Sequence, residues 1–208
     1  MKNILKLTLF VLLLVSCKES PQSTESSGSA ASKNMEGLMR EVTGKNSNKD
    51  LEYARLMEEL MAKKPLTNAQ FMEVFPKKLG NLSLDETPKN GRDFVEADTQ
   101  VMVGNYGNGT LKMEIIDATG NFAGQAIFFL KSYDLITLES DDYTKYSKKE
   151  RDGILTSGVY YTGRNESELT FLYDNRFYIT LKGKEMDVDK LWNTIKLDDL
   201  KRLKEFDN

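Results

Sequence analysis

Residues 168–182, ELTFLYDNRFYITLK, read as a β-hairpin whose register can be argued from side chains alone. A two-residue turn at Asp174-Asn175 would pair Phe171 with Tyr178 and Leu172 with Phe177, scattering apolar groups over both faces. A three-residue loop, Asp174-Asn175-Arg176, pairs Tyr173 with Phe177, Phe171 with Ile179 and Leu169 with Leu181, so one face is wholly apolar. The other face then carries Leu172–Tyr178, Thr170–Thr180 and the opposite charges Glu168–Lys182. Side chains alternate with period two, so a slip of one residue would turn every apolar group to the wrong face. Cross-strand pairs of these kinds contribute about 0.2–1 kcal/mol each. The three-residue loop is therefore expected, with Asn175 in the left-handed conformation it tolerates.

Outward from this hairpin, residues 154–161 form a strand turned by Gly163-Arg164-Asn165, and Gly183 closes the hairpin's second strand. Leu111, Met113 and Ile115 place a further strand against the same core, preceded by the hairpin signal Asn108-Gly109. Residues 94–104 alternate loosely, with Val95, Ala97, Val101 and Val103 as inward candidates. Residues 123–135 read as a helix with Ala126, Ile127, Phe129, Leu130 and Tyr133 apolar and little charge, hence buried on the sheet. Residues 140–152, acidic and then basic, read as a connector. Upstream, Tyr53, Leu56, Met57, Leu60 and Met61 recur at helical spacing and stop before Pro65. This Met-rich stripe either packs on the domain or offers an adaptable docking face. Thr67 and Gln70 form a capping box for a short helix through Phe71, Val74 and Phe75. Asp187 caps a last helix with Val188, Leu191, Trp192 and Ile195 on its face, and Leu197, Leu200 and Leu203 continue it. The fold class expected is α+β, an antiparallel sheet with helices packed mainly on one face.

The N-terminus is of another kind. Lys2 is followed by an apolar run through Val15, too short for the roughly 20 residues that span a bilayer, and closed by Leu14-Val15-Ser16-Cys17. A short apolar run ending in a small residue is the pattern of a secretory leader. Here it resembles the bacterial lipobox, Leu-x-[Ser/Ala/Gly]-Cys, which Leu14, Ser16 and Cys17 match. That resemblance implies diacylglycerol on the Cys17 sulfur, cleavage before Cys17, and a further acyl chain such as palmitate on the new amine. Two or three acyl chains hold a protein on a membrane where one does not. The organisation expected is residues 1–16 signal peptide, 17–34 lipidated Cys and Ser-rich flexible tether, 35–64 N-terminal helical segment and 65–208 α+β domain. Seventeen tether residues span roughly 20–25 Å on average. Lys18-Glu19 faintly resembles a surface-export signal, but the periplasmic face of the outer membrane is favoured over the cell surface.

Composition narrows the chemistry. The 208 residues carry 29 Lys plus Arg against 32 Asp plus Glu, a formal charge of −3. Loss of Lys2 and Lys6 with the leader takes this to −5, an unpromising balance for nucleic-acid binding. With no His in the chain, imidazole triads and His metal sites are excluded. A single Cys, the anchor itself, excludes an intrachain disulfide and thiol catalysis. Carboxylate, Lys, Tyr or Ser–Lys chemistry remains.

Tyr106 with Gly109, Ile115-x-Asp117-x-x-Gly120, Arg176-Phe177 before Gly183, and the amphipathic finish around Leu191 and Leu200 resemble a group of uncharacterised bacterial envelope lipoproteins. That resemblance spans about residues 65–205 and carries no activity with it.

Candidate sites follow. Asp141 and Asp142 with Glu139 lack the spacing of a Ca²⁺ loop and read as an acidic turn. Asp117, beside Thr119 and Gly120, reads as a turn former. Tyr160, Tyr161 and Tyr178 are a candidate binding surface on incompletely covered strand faces. The basic run 145–151 is flanked by acids and reads as solvated. Gly104 to Gly109 leads into a strand, so it is no phosphate loop. No metal site and no cofactor are expected. The expected function is a lipid-anchored envelope protein whose non-catalytic domain binds a partner protein or small ligand near the membrane. The alternatives are a carboxylate-dependent hydrolase or transferase, and a carrier of an apolar ligand held under the 123–135 helix.

Overall fold

The computed structural model describes residues 48–91 and 100–206, which fall in one compact unit, Lys45–Asn208. The leader, Cys17, the tether and the first part of the 94–104 strand lie outside the described residues.

Helix α1 (Asn48–Ala62) is followed by α2 (Asn68–Val74). At the start of α2 the Thr67 side chain accepts from the Gln70 backbone N–H while the Gln70 side chain accepts from the Thr67 backbone, the expected capping box. Strands β1 (Lys78–Leu79) and β2 (Leu82–Ser83) make a small ribbon. Gly80, between them, has φ +57, and a Cβ there would run into the Thr194 carbonyl, so glycine is required twice over. The main sheet has seven strands, all neighbours antiparallel, in the order β3-β4-β5-β9-β8-β7-β6. They are β3 (Lys89–Asn90), β4 (Val101–Tyr106), β5 (Leu111–Asp117), β6 (Thr144–Arg151), β7 (Ile154–Tyr161), β8 (Glu166–Tyr173) and β9 (Phe177–Lys184). Helix α3 (Ala123–Leu135) joins β5 to β6, and α4 (Val188–Thr194) with a 3-10 segment, Leu197–Lys204, ends the chain. Asp187 caps α4 by accepting from the Lys190 N–H.

The hairpin register is the expected one. Tyr173 pairs with Phe177, Phe171 with Ile179, Leu169 with Leu181 and Glu168 with Lys182. Both Asp174 (φ 54) and Asn175 (φ 52) are left-handed, rather than Asn175 alone. The Arg176 N–H closes on the Tyr173 carbonyl at 3.2 Å, which leaves Arg176 as an extra residue ahead of the ladder.

The larger core lies on the face bearing Phe171, Ile179, Leu181, Met113 and Ile115, under α2, α4 and the final 3-10 segment. Helix α4 approaches β7 so closely that a Cβ on Gly158 would overlap the Val188 side chain. Trp192 packs its ring edge-on to Phe171 at 5.5 Å and donates its indole N–H to Asp152. A smaller cluster on the opposite face joins Leu60 of α1, Ala123, Ala126 and Phe129 of α3, and Leu172. Helix α1 thus packs on the domain, and Leu56 and Met57 pack against this cluster. Both faces being covered explains the assignments in β4 that differ from expectation. Met102 and Tyr106 enter the larger core, while Val101 is buried on the other face. Residues 144–151 form an edge strand, not a connector: with TKYSKKER half exposed, no apolar alternation marks it, and Lys-rich edges of this kind protect a sheet from further pairing. The last hairpin strand runs one residue past Gly183, to Lys184.

Candidate functional site

The face that carries α1 and α3 is covered only in part. Beyond those helices, alternate residues of β5, β9, β8 and β7 present Lys112, Lys182, Glu168 and Tyr161 outward. Together with Arg164 and Glu166 they line a shallow groove of about 360 Å³. Two cations face two carboxylates across it. Lys182 Nζ lies 2.8 Å from Glu168, and Arg164 Nε lies 3.6 Å from Glu166. The hydrogen bond to Glu168 raises the Lys182 ammonium above its ordinary value, so it stays charged. The Arg164 guanidinium sits 4.2 Å from the centroid of the Tyr161 ring, a cation–π wall on one side.

The three tyrosines expected to form one surface are separated. Tyr160 and Tyr161 are neighbours on β7 and so point to opposite faces. Tyr160 packs on the larger core and donates its hydroxyl to Asn165, while Tyr161 lines the groove. Tyr178 shares the face of Tyr161 but lies against Phe129 at 6.0 Å, under α3. Burial, and then the Glu168 charge, push its phenol above the ordinary value. Only Tyr161 belongs to the groove.

Asp117 is a correction to the expected turn former. It is the last residue of β5 and fully buried, and its carboxylate accepts from Arg176 Nε (2.7 Å), Arg176 Nη2 (2.8 Å) and the Leu66 backbone N–H (2.8 Å). Arg176 Nη2 also donates to the Lys64 carbonyl at 3.3 Å. The segment between α1 and α2 passes from one face of the sheet to the other here. The ion pair holds two of its backbone groups, so it is an internal clamp facing no groove. Asp141 sits where a turn was expected, its Oδ1 accepting from the Tyr143 and Thr144 N–H groups.

A second feature of this face has no signature in the sequence. At the end of α3, Leu135 and Ile136 are exposed, with Leu138, Tyr143 and Tyr146 following in the next connection and strand. A concavity of about 290 Å³ between Ile136, Leu138, Tyr146 and Lys148 joins them. Lys148 Nζ donates to the carbonyls of Ser132, Tyr133 and Ile136, ending the helix as a C-terminal cation does. Between α3 and the sheet, Ala123, Ala126, Phe129, Leu172 and Tyr178 pack together. Cys17 lies outside the described residues.

No protein-family model, curated protein or solved structure matches the chain.

Proposed function

We propose that this chain is a lipid-anchored protein of the bacterial envelope, tied to the outer membrane through an acylated Cys17, whose α+β domain binds a polar partner. The anchor rests on the Leu14–Cys17 lipobox pattern; among the described residues no helix is long and apolar enough to cross a membrane. The observation that carries the binding reading is the groove beside Tyr161: open, mixed in charge, and with Glu166 and Glu168 each opposite a cation. Carboxylate catalysis needs an acid and a base held apart in protonation state. Two carboxylates each facing its own counter-ion are arranged instead for exchange: a ligand bearing both charges replaces Arg164 at Glu166 or Glu168 at Lys182 with little desolvation of either. That chemistry fits a polar protein segment or a small zwitterionic ligand.

Incorporating a photo-crosslinking benzoylphenylalanine at Tyr161 in cells tests this, with the same residue at Glu52 on α1 as control. Expected is a light-dependent adduct at position 161, of a mass that tells protein from small ligand, lost when Arg164 and Lys182 are both changed to Ala. No adduct at 161, or the same adducts at 52, contradicts the groove as the binding surface.

A further inference from the structure

Among the described residues nine large hydrophobic side chains are exposed, and six of them fall between residues 128 and 146. Phe128 (63 % exposed) and Leu135 stand two turns apart on one stripe of α3; Ile136 and Leu138 follow, then Tyr143 (76 % exposed) and Tyr146. Isolated exposed apolar groups are ordinary, but Ile136, Leu138 and Tyr146 line one concavity with Leu135 next to it, and such a cluster marks a surface that meets something. Its position relative to the N-terminal chain says what. Helix α1 begins at Asn48, and its first turn lies on the last turn of α3: Lys49 Nζ is 2.9 Å from Asp134, the Tyr53 hydroxyl is 2.5 Å from the same carboxylate, and Lys131 is 3.7 Å from Asp50. The first described residue, Asn48, therefore stands at the end of α3 that carries Leu135 and Ile136.

We infer that the apolar surface formed by Phe128, Leu135, Ile136, Leu138, Tyr143 and Tyr146 rests in the headgroup region of the bilayer that holds Cys17. The inference builds on the anchor reading above. A tether attached beside an apolar patch delivers that patch to the membrane, and Phe, Leu and Tyr are the side chains that settle at such interfaces. Around the patch the chain carries acids as well as bases, Glu139, Asp141 and Asp142 before Lys145 and Lys148, and the Lys148 ammonium is taken up by the carbonyls at the end of α3. Its affinity therefore comes from buried apolar area and not from anionic lipid. Seated this way, the domain is held by two contacts, the acyl chains and the patch, with the Tyr161 groove beyond the helices on the same sheet face.

The test uses the full chain, purified with its anchor and reconstituted into phosphatidylcholine–phosphatidylethanolamine vesicles. The chain has one Cys; with its sulfur blocked by the diacylglyceryl thioether, Leu138→Cys or the control Lys201→Cys supplies the sole thiol for an environment-sensitive nitrobenzoxadiazole label. Expected is a blue-shifted emission at 138, quenched about twofold by lipids with a shallow nitroxide and unchanged by added phosphatidylglycerol, with none of this at 201. Flotation with the vesicles but no quenching at 138 overturns the inference and leaves the anchor standing. A blue shift that grows with protein density without nitroxide quenching assigns the patch to a second copy and overturns it too. A wild-type chain that takes up label or fails to float removes the anchor itself, and the inference with it.

Discussion

Arg176 shows how much one residue decides in this fold. It was expected as the third member of a turn, and it is the largest fully buried side chain among the described residues. The extra position between the turn and the ladder turns its side chain back towards Asp117, 59 residues away. Removing one partner of such a pair leaves a buried charge without compensation, at a cost of about 3–5 kcal/mol. Arg176→Ala and Asp117→Asn should each lower the unfolding free energy in urea by about that amount. The double substitution should cost much less than the sum of the two, because the second removes the charge stranded by the first. Additive losses would show that the two side chains act independently. Nothing local in the sequence announces this contact. Arg176 follows two turn formers, and Asp117 stands at a strand end next to Thr119 and Gly120, so each residue has an adequate local explanation. Period-two patterning tells which face a side chain takes, not which residue on another strand it meets.

At the scale of elements, legibility followed the strength of the periodicity. The hairpin of β8 and β9 was readable to the residue because only one register gathers Phe171, Ile179, Leu169 and Leu181 on one face. Helix α3 was equally plain, and so were the Thr67 and Asp187 caps, whose chemistry is local. Strand β6 was not: an edge strand pairs on one side only, and its exposed lysines carry no alternation to read. The contact between α1 and α3 makes a further prediction. The Tyr53 hydroxyl, and then Lys49, hold the Asp134 carboxyl below its ordinary value. A carboxylate whose value is depressed on folding contributes stability above its unfolded value, near 3.9, and loses that contribution as pH falls through the folded value. Asp134→Asn should therefore lower stability by about 1 kcal/mol at neutral pH, as expected for one partly exposed charge-assisted contact. The difference from the wild type should close in strongly acidic solution. Urea unfolding across that range checks it; a deficit that persists undiminished in acid would mean the carboxylate charge is not what α1 contributes.

For the whole molecule, the sheet is sealed on one face by α2, α4 and the final 3-10 segment, and on the other only in part by α1 and α3. The uncovered remainder holds the mixed-charge groove, and the rim of α3 holds the apolar patch. The sequence made the α+β class legible but left the function open, because surfaces of this sort are built from residues far apart in the chain. Lys112, Tyr161, Glu168 and Lys182 come from four strands. In the linear order each reads as an ordinary outward residue, and of the three tyrosines singled out only Tyr161 lies in the groove. Everything proposed for these surfaces presumes that the domain works against a bilayer. The most direct measurement is therefore the mass of the N-terminal peptide released from the membrane fraction of cells producing the native chain. The account predicts a peptide beginning at Cys17 and carrying a diacylglyceryl group and an amide-linked acyl chain. An unmodified Cys17, or a peptide that still contains residues 1–16, would contradict it.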